Sequence, residues 1–217
     1  MNITPIETRY QGIFFRSRTE ARWAVFFDHL GIEWEYEKEG YELSIDGGRV
    51  WYLPDFWLPE FMSFVEIKGD RPTNAELKKA RAIRDDVGRA IFVFHGIPTE
   101  FYNRKSITVR MTGGTATTVI PENPGVGFLW DCGDSSGGSC DAELCKFVWD
   151  YKRQLACIAV HDFWNLDRSL FVSSAWERND RIGCYLRDER SVYRTFDPWS
   201  LKIREAVEAA RSERFAR

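Results

Sequence analysis

Residues 52–69 read YLPDFWLPEFMSFVEIKG, and this stretch decides the fold. Asp55 lies between two apolar triplets, and Glu66 and Lys68 lie in a second apolar run. Ionisable side chains in segments patterned like strands are costly to bury unless their charge is compensated. A divalent cation held by the carboxylates is a common form of that compensation. The stretch therefore indicates a buried site with acids at its centre.

Alternation along a strand predicts how these side chains are presented. Glu66 and Lys68 should face one side, while Val65 and Ile67 face the core. A carboxylate placed there can hold a divalent cation, and the ammonium can orient an attacking water or help to deprotonate it. Asp55, entering from a neighbouring strand, can add a second carboxylate. Hard oxygen ligands of this kind favour Mg²⁺ or Mn²⁺ over zinc.

Each of these residues also has an ordinary structural interpretation. Glu66 and Lys68 could lie on a solvated strand face, where an ion pair adds little stability. Asp55 follows a proline, and aspartate is a frequent turn residue. The apolar flanks of Asp55, and its combination with the other two residues, favour the site interpretation.

Upstream of this stretch, a capping-box pattern formed by Ser17 and Glu20 predicts a helix over residues 18–30. Glu20 shares one face of that helix with Trp23 and Phe27. Its carboxylate could complete the cap or project toward the acids, and one side chain cannot easily do both. The alignment with the apolar face favours the site role.

The remaining elements of the N-terminal half are predicted from periodicity and turn residues. In chain order they are a strand or arm over 10–15, a strand over 32–39, a hairpin over 41–45 and 49–53, a strand over 64–68, a helix over 75–87 and a strand over 89–95. The core order is therefore helix, three antiparallel-looking strands, helix and strand.

The pairing of Pro54-Asp55 with Glu66-Ile67-Lys68 resembles the signature of the PD-(D/E)XK nuclease superfamily. Its members are metal-dependent enzymes that cut phosphodiester bonds. The resemblance covers roughly residues 10–97 and is greatest to small phage and prophage endonucleases. It implies an α/β, mixed α+β fold with a restriction-endonuclease-like core, in which a central mixed sheet is flanked by helices in the order α-β-β-β-α-β.

The same resemblance implies roles for four residues. Asp55 and Glu66 would bind Mg²⁺ or Mn²⁺, Lys68 would be the catalytic lysine, and Glu20 would be an accessory acid that also contacts the metal. The implied activity is cleavage of DNA, with a homodimer as one way of cutting two strands. The alternative is a catalytically inactive nuclease fold that binds nucleic acid or a protein partner as a regulatory or anti-defence module.

The overall composition and charge limit the classes of partner that we expect. The chain has 217 residues, 44% of them hydrophobic, and its 30 basic and 33 acidic side chains leave a net charge of -3. This balance does not indicate a generally basic nucleic-acid binder, although a local patch is enough to contact phosphates. The N-terminus lacks a signal pattern, and no long apolar run is present, so we expect a cytoplasmic protein without a membrane span.

Basic side chains cluster at the start of the first predicted helix and in and before the second. They could contact a phosphate backbone or simply form solvated helix faces, and the sequence leaves both interpretations open. These residues are Arg16, Arg18, Arg22, Arg71, Lys78, Lys79, Arg81 and Arg84.

The C-terminal half is expected to be separate from the nuclease-like part. We assign residues 1–110 to a nuclease-like domain, 111–127 to a linker, and 128–217 to a smaller, Trp- and Cys-rich α+β region of unknown role. Strands are predicted over 171–176 and 182–187, and a closing helix over 201–215, whereas residues 146–163 are compatible with helix or strand.

The cysteines admit a structural zinc, which we consider the less favoured option. Cys132, Cys140, Cys145 and Cys157 could supply four thiolates. They include no C-x2-C pair, which is what makes a zinc site recognisable in a sequence. Reduced, packed cysteines are therefore favoured.

Overall fold

A mixed sheet flanked by helices forms the described part of the molecule. The computed structural model describes residues 5–99, 127–130, 143–150, 154–161, 182–184, 196–197 and 201–215. The mixed α+β architecture expected from the sequence is confirmed within these ranges. Among the described residues, no helix combines the length and the apolar character needed to cross a bilayer.

Three α-helices and a series of short strands make up these ranges. The helices are α1 (Arg18–His29), α2 (Asn74–Val87) and α3 (Leu201–Ser212), and a 3-10 turn spans Pro59–Phe61. The strands are β1 (Thr8–Tyr10), β2 (Ile13–Phe15), β3 (Glu35–Tyr36), β4 (Tyr41–Ile45), β5 (Gly48–Tyr52), β6 (Phe56–Leu58), β7 (Ser63–Lys68), β8 (Ala90–His95), β9 (Gly127–Trp130), β10 (Glu143–Asp150), β11 (Leu155–His161), β12 (Ile182–Cys184) and β13 (Phe196–Asp197).

The main sheet joins nine of the described strands. Its order is β12-β11-β10-β9-β8-β7-β6-β3, and β13 pairs with β10. Strands β7 and β8 are parallel and are connected through α2, whereas β6 runs antiparallel to β7. The hairpins β1–β2 and β4–β5 each form a two-stranded sheet outside this path.

Both faces of β7 and β8 are covered. Val65, Ile67 and Phe94 belong to a core that includes buried side chains of α1 and α3. Phe64 and Val93 belong to a second core with α2 and the β4–β5 hairpin. The prediction that Val65 and Ile67 face the core is thus confirmed, and the face that carries Glu66 is covered as well.

Local signals locate α1 and α2 to within one residue of their predicted bounds, whereas α3 ends at Ser212, three residues before its predicted end. Ser17 caps α1, because its hydroxyl oxygen accepts a hydrogen bond of 3.2 Å from the Glu20 amide. Thr73 caps α2 through a full capping box. Its side-chain oxygen accepts a hydrogen bond from the Glu76 amide, and the Glu76 carboxylate accepts one from the Thr73 amide. At the other end of α2, Gly88 has a φ of 70°, a left-handed value that glycine adopts without strain.

Gly88→Ala should therefore lower the free energy of unfolding by about 1 kcal/mol, or the melting temperature by about 2–4 °C. Thermal denaturation followed by circular dichroism measures the shift. Gly48→Ala is the matched control, since Gly48 lies in β5 and an added Cβ would meet only the Ile45 carbonyl oxygen at 3.6 Å. Equal shifts for the two variants would contradict the assignment of Gly88 as the helix cap.

The strand predicted over residues 32–39 is wrong for most of its length. Only Glu35–Tyr36 pair in the sheet, although Ile32 is buried and Glu33 exposed as the alternation suggested. Glu37 ends the strand with a left-handed φ of 47°, and its amide donates a 2.9 Å hydrogen bond to the Asp55 carbonyl oxygen.

The order of three antiparallel strands also needs correction. The hairpin at residues 41–52 forms as predicted but belongs to a separate sheet. The strand that joins the main sheet is Phe56–Leu58, which the sequence analysis missed because three residues are too short to show a period. Pro54 separates this strand from β5, since a proline has no amide to continue a ladder.

The described part of the C-terminal half shares the N-terminal core. Strand β9 pairs antiparallel with β8, and α3 packs against α1. The predicted closing helix is confirmed, with Ile203, Val207 and Ala210 buried along one face. Apart from Gly127, the predicted linker lies outside the described residues, so the division into domains stays a prediction.

Two uncertain segments of that half are now placed. Residues 143–150 and 155–161 form the antiparallel strands β10 and β11, which decides between the helix and strand interpretations. Residues 182–184 form a strand, whereas the strand predicted over 171–176 lies outside the described residues.

Candidate active site

Asp55 and Glu66 are brought together by the pairing of β6 with β7. Phe56 is the register partner of Val65, so the residues that precede and follow them, Asp55 and Glu66, lie opposite each other. Both are buried, with 4% and 5% of their surfaces exposed. The Ile67 amide donates a 2.6 Å hydrogen bond to Oδ2 of Asp55, which fixes the orientation of that carboxylate.

Lys68 lies against Glu66 at the end of β7. Its Nζ is 2.5 Å from Oε1 of Glu66 and 3.6 Å from Oε1 of Glu76, and 25% of its side chain is exposed. Burial by itself would lower the pKa of Lys68, but the charges of Glu66, Asp55 and Glu76 outweigh it and raise the pKa. Lys68 is therefore an ammonium donor that can orient a ligand or stabilise negative charge.

The second oxygen of Glu66, Oε2, is buried and accepts no hydrogen bond of normal geometry from the described residues. The hydroxyl of Tyr52 interacts with Glu66: burial, then the negative charge of Glu66 and a side-chain hydrogen bond to Glu66, raise the pKa of Tyr52 well above the ordinary value. A buried carboxylate oxygen without a donor of normal geometry is costly, and a cation would compensate it.

The pKa of Asp55 is raised well above its ordinary value of 3.8. Burial is the largest cause, and the negative charges of Glu66 and Glu20 add to it. The Ile67 hydrogen bond and the charge of Lys68 act in the opposite direction without cancelling the increase. Without an added cation, the burial of Asp55 and the charges of its acidic neighbours therefore outweigh the groups that favour its ionised form.

Glu20 serves the helix cap and approaches the acid pair at the same time. Its Oε1 accepts a 2.6 Å hydrogen bond from the Ser17 hydroxyl, and its Oε2 accepts one of 2.6 Å from the Tyr36 hydroxyl. Glu20 is 7% exposed, and its charge raises the pKa of Asp55. The sequence analysis treated the helix cap and the site as alternatives for Glu20, whereas its side chain takes part in both.

Arg16 is a site residue that sequence reasoning did not connect with the acids. Its Nη2 lies 3.0 Å from Oδ1 of Asp55, and its backbone amide donates to the Tyr36 hydroxyl at 3.1 Å. The sequence showed Arg16 only as one of several basic residues before a helix. Its position directly before the cap of the helix that carries Glu20 was the available signal.

The donor set fits a hard divalent cation. As the side chains stand, no three acids, histidines or cysteines of the described residues converge on one point. Asp55 and Glu66 nevertheless offer two carboxylates, and Mg²⁺ is usually bound by one or two carboxylates, with waters and substrate phosphates completing its octahedron. The unpartnered Oε2 of Glu66 supports the fit.

The alternative zinc site stays open. Cys132 and Cys140 lie outside the described residues. Cys145 and Cys157 are on paired strands, where Cys157 is the register partner of Val148 rather than of Cys145.

No family model, curated protein or solved structure matches the chain.

Proposed function

We propose that this chain is a metal-dependent endonuclease that hydrolyses phosphodiester bonds in DNA. The observation that carries the proposal is a pair of buried carboxylates, Asp55 and Glu66, that lie opposite each other beside a charged lysine. One oxygen of Glu66 has no donor of normal geometry among the described residues, and burial together with the charge of Glu66 raises the pKa of Asp55. A divalent cation supplies the missing compensation.

The proposed fold is the restriction-endonuclease-like core that the sequence resemblance implies. Support comes from the order α1, β4–β5 hairpin, β6, β7, α2 and β8, and from the position of Asp55 and Glu66 on neighbouring strands. The hairpin lies outside the main sheet, so the support rests on β6, β7, α2 and β8.

Each residue has a role that follows from its position. Asp55 and Glu66 would hold the cation, which when bound polarises the phosphate and makes a nearby water more acidic. Lys68 would donate from Nζ to the attacking water or to a phosphate oxygen, and thereby stabilise the charge that develops there. Glu20 would keep Tyr36 and the start of α1 in place beside Asp55.

Cleavage assays test the proposal directly. The protein would be incubated with supercoiled plasmid, single-stranded DNA and branched DNA, each with Mg²⁺, with Mn²⁺ and with EDTA. We expect cutting that needs the metal and is lost in Glu66→Gln. A wild-type protein that cuts none of these substrates in either metal would refute the proposal.

Lys68→Ala should reduce the cleavage rate about 10²–10³-fold, since it removes a donor that acts in the transition state. Because Asp55 and Glu66 remain, the stabilisation of the protein by Mn²⁺ should persist in a thermal melt. Lys202→Ala is the control, because Lys202 is an exposed residue of α3 that pairs with Glu205 at 3.9 Å. Cleavage by Lys68→Ala at the wild-type rate would remove Lys68 from the mechanism.

A second function is favoured by one observation. Arg16 and Lys68 already pair with Asp55 and Glu66, so the fold contains partial compensation of its own. A nuclease fold of this kind could act as a binding module for nucleic acid or protein. DNA binding without metal-dependent cutting in the assays above would favour it.

A further inference from the structure

Arg16 extends from the buried acids to solvent. Its Nη2 lies 3.0 Å from Oδ1 of Asp55, and its Nε lies 2.5 Å from Oε1 of Glu37. The Arg16 side chain is 57% exposed, whereas the Asp55 side chain is 6% exposed. The guanidinium also has a side-chain hydrogen bond with Tyr36. Because more than half of the Arg16 side chain is exposed, part of the guanidinium is open to a further ligand at the edge of the site.

Glu37 holds Arg16 in this position at a conformational cost. Its φ of 47° lies in the left-handed region, which is unfavourable for a residue other than glycine. The Glu37 amide donates to the Asp55 carbonyl oxygen at 2.9 Å. The backbone of Glu37 is therefore bonded to the residue that carries the buried acid, and the side chain of Glu37 orients Arg16. Backbone strain of this kind is concentrated at functional sites.

Binding of a cation by Asp55 would change the role of this arginine. The cation would replace the guanidinium as the main partner of the Asp55 carboxylate. The pair with Glu37 would still hold Arg16 at the edge of the site. A planar guanidinium matches the oxygens of a phosphate, and it stays charged at any pH at which the protein is folded.

We propose that Arg16, oriented by Glu37, binds a non-bridging oxygen of the phosphodiester that is positioned beside Asp55. The inference rests on the proposed function, because it names the group that brings the nucleic-acid backbone to the acids. Arg16 then contributes to the binding of nucleic acid by contacting the phosphate, and Glu37 is a positioning residue that acts through Arg16.

The salt dependence of binding distinguishes a phosphate contact by Arg16 from a purely structural role of Arg16 beside Asp55. Fluorescein-labelled single-stranded and duplex oligonucleotides would be titrated with wild type, Arg16→Ala, Arg16→Lys and Glu37→Gln over a range of salt, with Ca²⁺ as the metal. Loss of one phosphate contact should weaken binding by Arg16→Ala about tenfold or more and reduce the slope of log K against log salt by about one. Arg204→Ala, at an exposed position of α3, should leave the slope unchanged.

Kinetics with the same variants in Mg²⁺ give a second readout. Arg16→Ala should raise KM as well as lower kcat, Arg16→Lys should recover part of the binding, and Glu37→Gln should shift both constants in the same direction by less. An unchanged salt slope in Arg16→Ala, together with an altered melting temperature and Mn²⁺ affinity, would overturn the inference and leave Arg16 as a structural partner of Asp55.

The two proposals fail in different ways. If wild type cuts DNA and Arg16→Ala keeps the full salt slope, only the role of Arg16 is refuted. If wild type binds DNA without cutting and Arg16→Ala loses the slope, Arg16 remains a phosphate contact and the nuclease proposal is refuted. No binding of either oligonucleotide by wild type would refute both.

Discussion

Asp55→Asn should reduce metal-dependent cleavage about 10³-fold or more and should raise the melting temperature of the metal-free protein by about 2–4 °C. Activity falls because the amide is a poor ligand for a hard cation. Stability rises because the substitution removes a carboxylate whose charge is disfavoured by burial and by the neighbouring acids, while an amide oxygen can still accept the hydrogen bond from Ile67. Cleavage assays and thermal melts in EDTA measure the two effects.

The stability advantage of Asp55→Asn should depend on pH in a defined direction. The folded-state pKa of Asp55 is raised above the ordinary value of 3.8, so the folded chain binds this proton more tightly than the unfolded chain does. The stabilisation from the proton is complete below about pH 4 and is lost as the pH rises through the folded pKa. The difference in melting temperature between variant and wild type should therefore grow as the pH rises from about 4 through the raised pKa of Asp55.

Asp46→Asn provides the control for both measurements. Asp46 pairs with Lys78 on the surface, with 71% of its side chain exposed, so its loss should change neither cleavage nor the pH profile. In wild type, Mn²⁺ at about 100 times its dissociation constant should add about 2.7 kcal/mol of stability, and Asp55→Asn should lose most of this. A variant that is less stable than wild type at every pH would contradict the account of buried repulsion.

Phe56→Ala should lower the free energy of unfolding by about 3–5 kcal/mol. Phe56 is fully buried directly after Asp55, and its ring contacts those of Phe15, Phe27, Trp34 and Tyr36 at centroid distances of 6.1, 5.4, 5.7 and 5.4 Å. Truncation leaves a cavity at the point where α1, β2 and β6 meet. Chemical denaturation in urea measures the loss, and cleavage should fall as well because Asp55 is the adjacent residue.

Phe14→Ala is the matched control for this truncation. Phe14 is the same residue type but is 69% exposed on β2, so its removal should change stability by no more than about 0.5 kcal/mol. Comparable losses for the two variants would mean that Phe56 is not at the centre of the aromatic cluster.

The predictions made from local sequence succeeded where a short segment carries its own signal. A cap and a helical period located α1 and α2, and continuous apolar runs located β7 and β8. The candidate site residues Asp55, Glu66 and Lys68 could be chosen from their spacing in residues 52–69. Their metal-binding and catalytic roles remain predictions for the assays described above.

Long-range contacts account for what the sequence analysis missed. Strand β6 is three residues long and exists because β7 and β3 pair with it on both sides. The end of the strand at Glu37 depends on a hydrogen bond to Asp55, and the contact of Arg16 with Asp55 joins residues that are 39 positions apart. None of these contacts leaves a periodic trace in the sequence.

The sequence by itself determined the helices α1 and α2 and the strands β7 and β8 of the core, and which acids and lysine share one stretch. The tertiary structure decided that both faces of β7 are buried, that α3 packs on α1, and that Arg16 lies beside Asp55. The physical reason is that capping and periodicity act within a few residues, whereas burial and charge compensation depend on which distant segments meet.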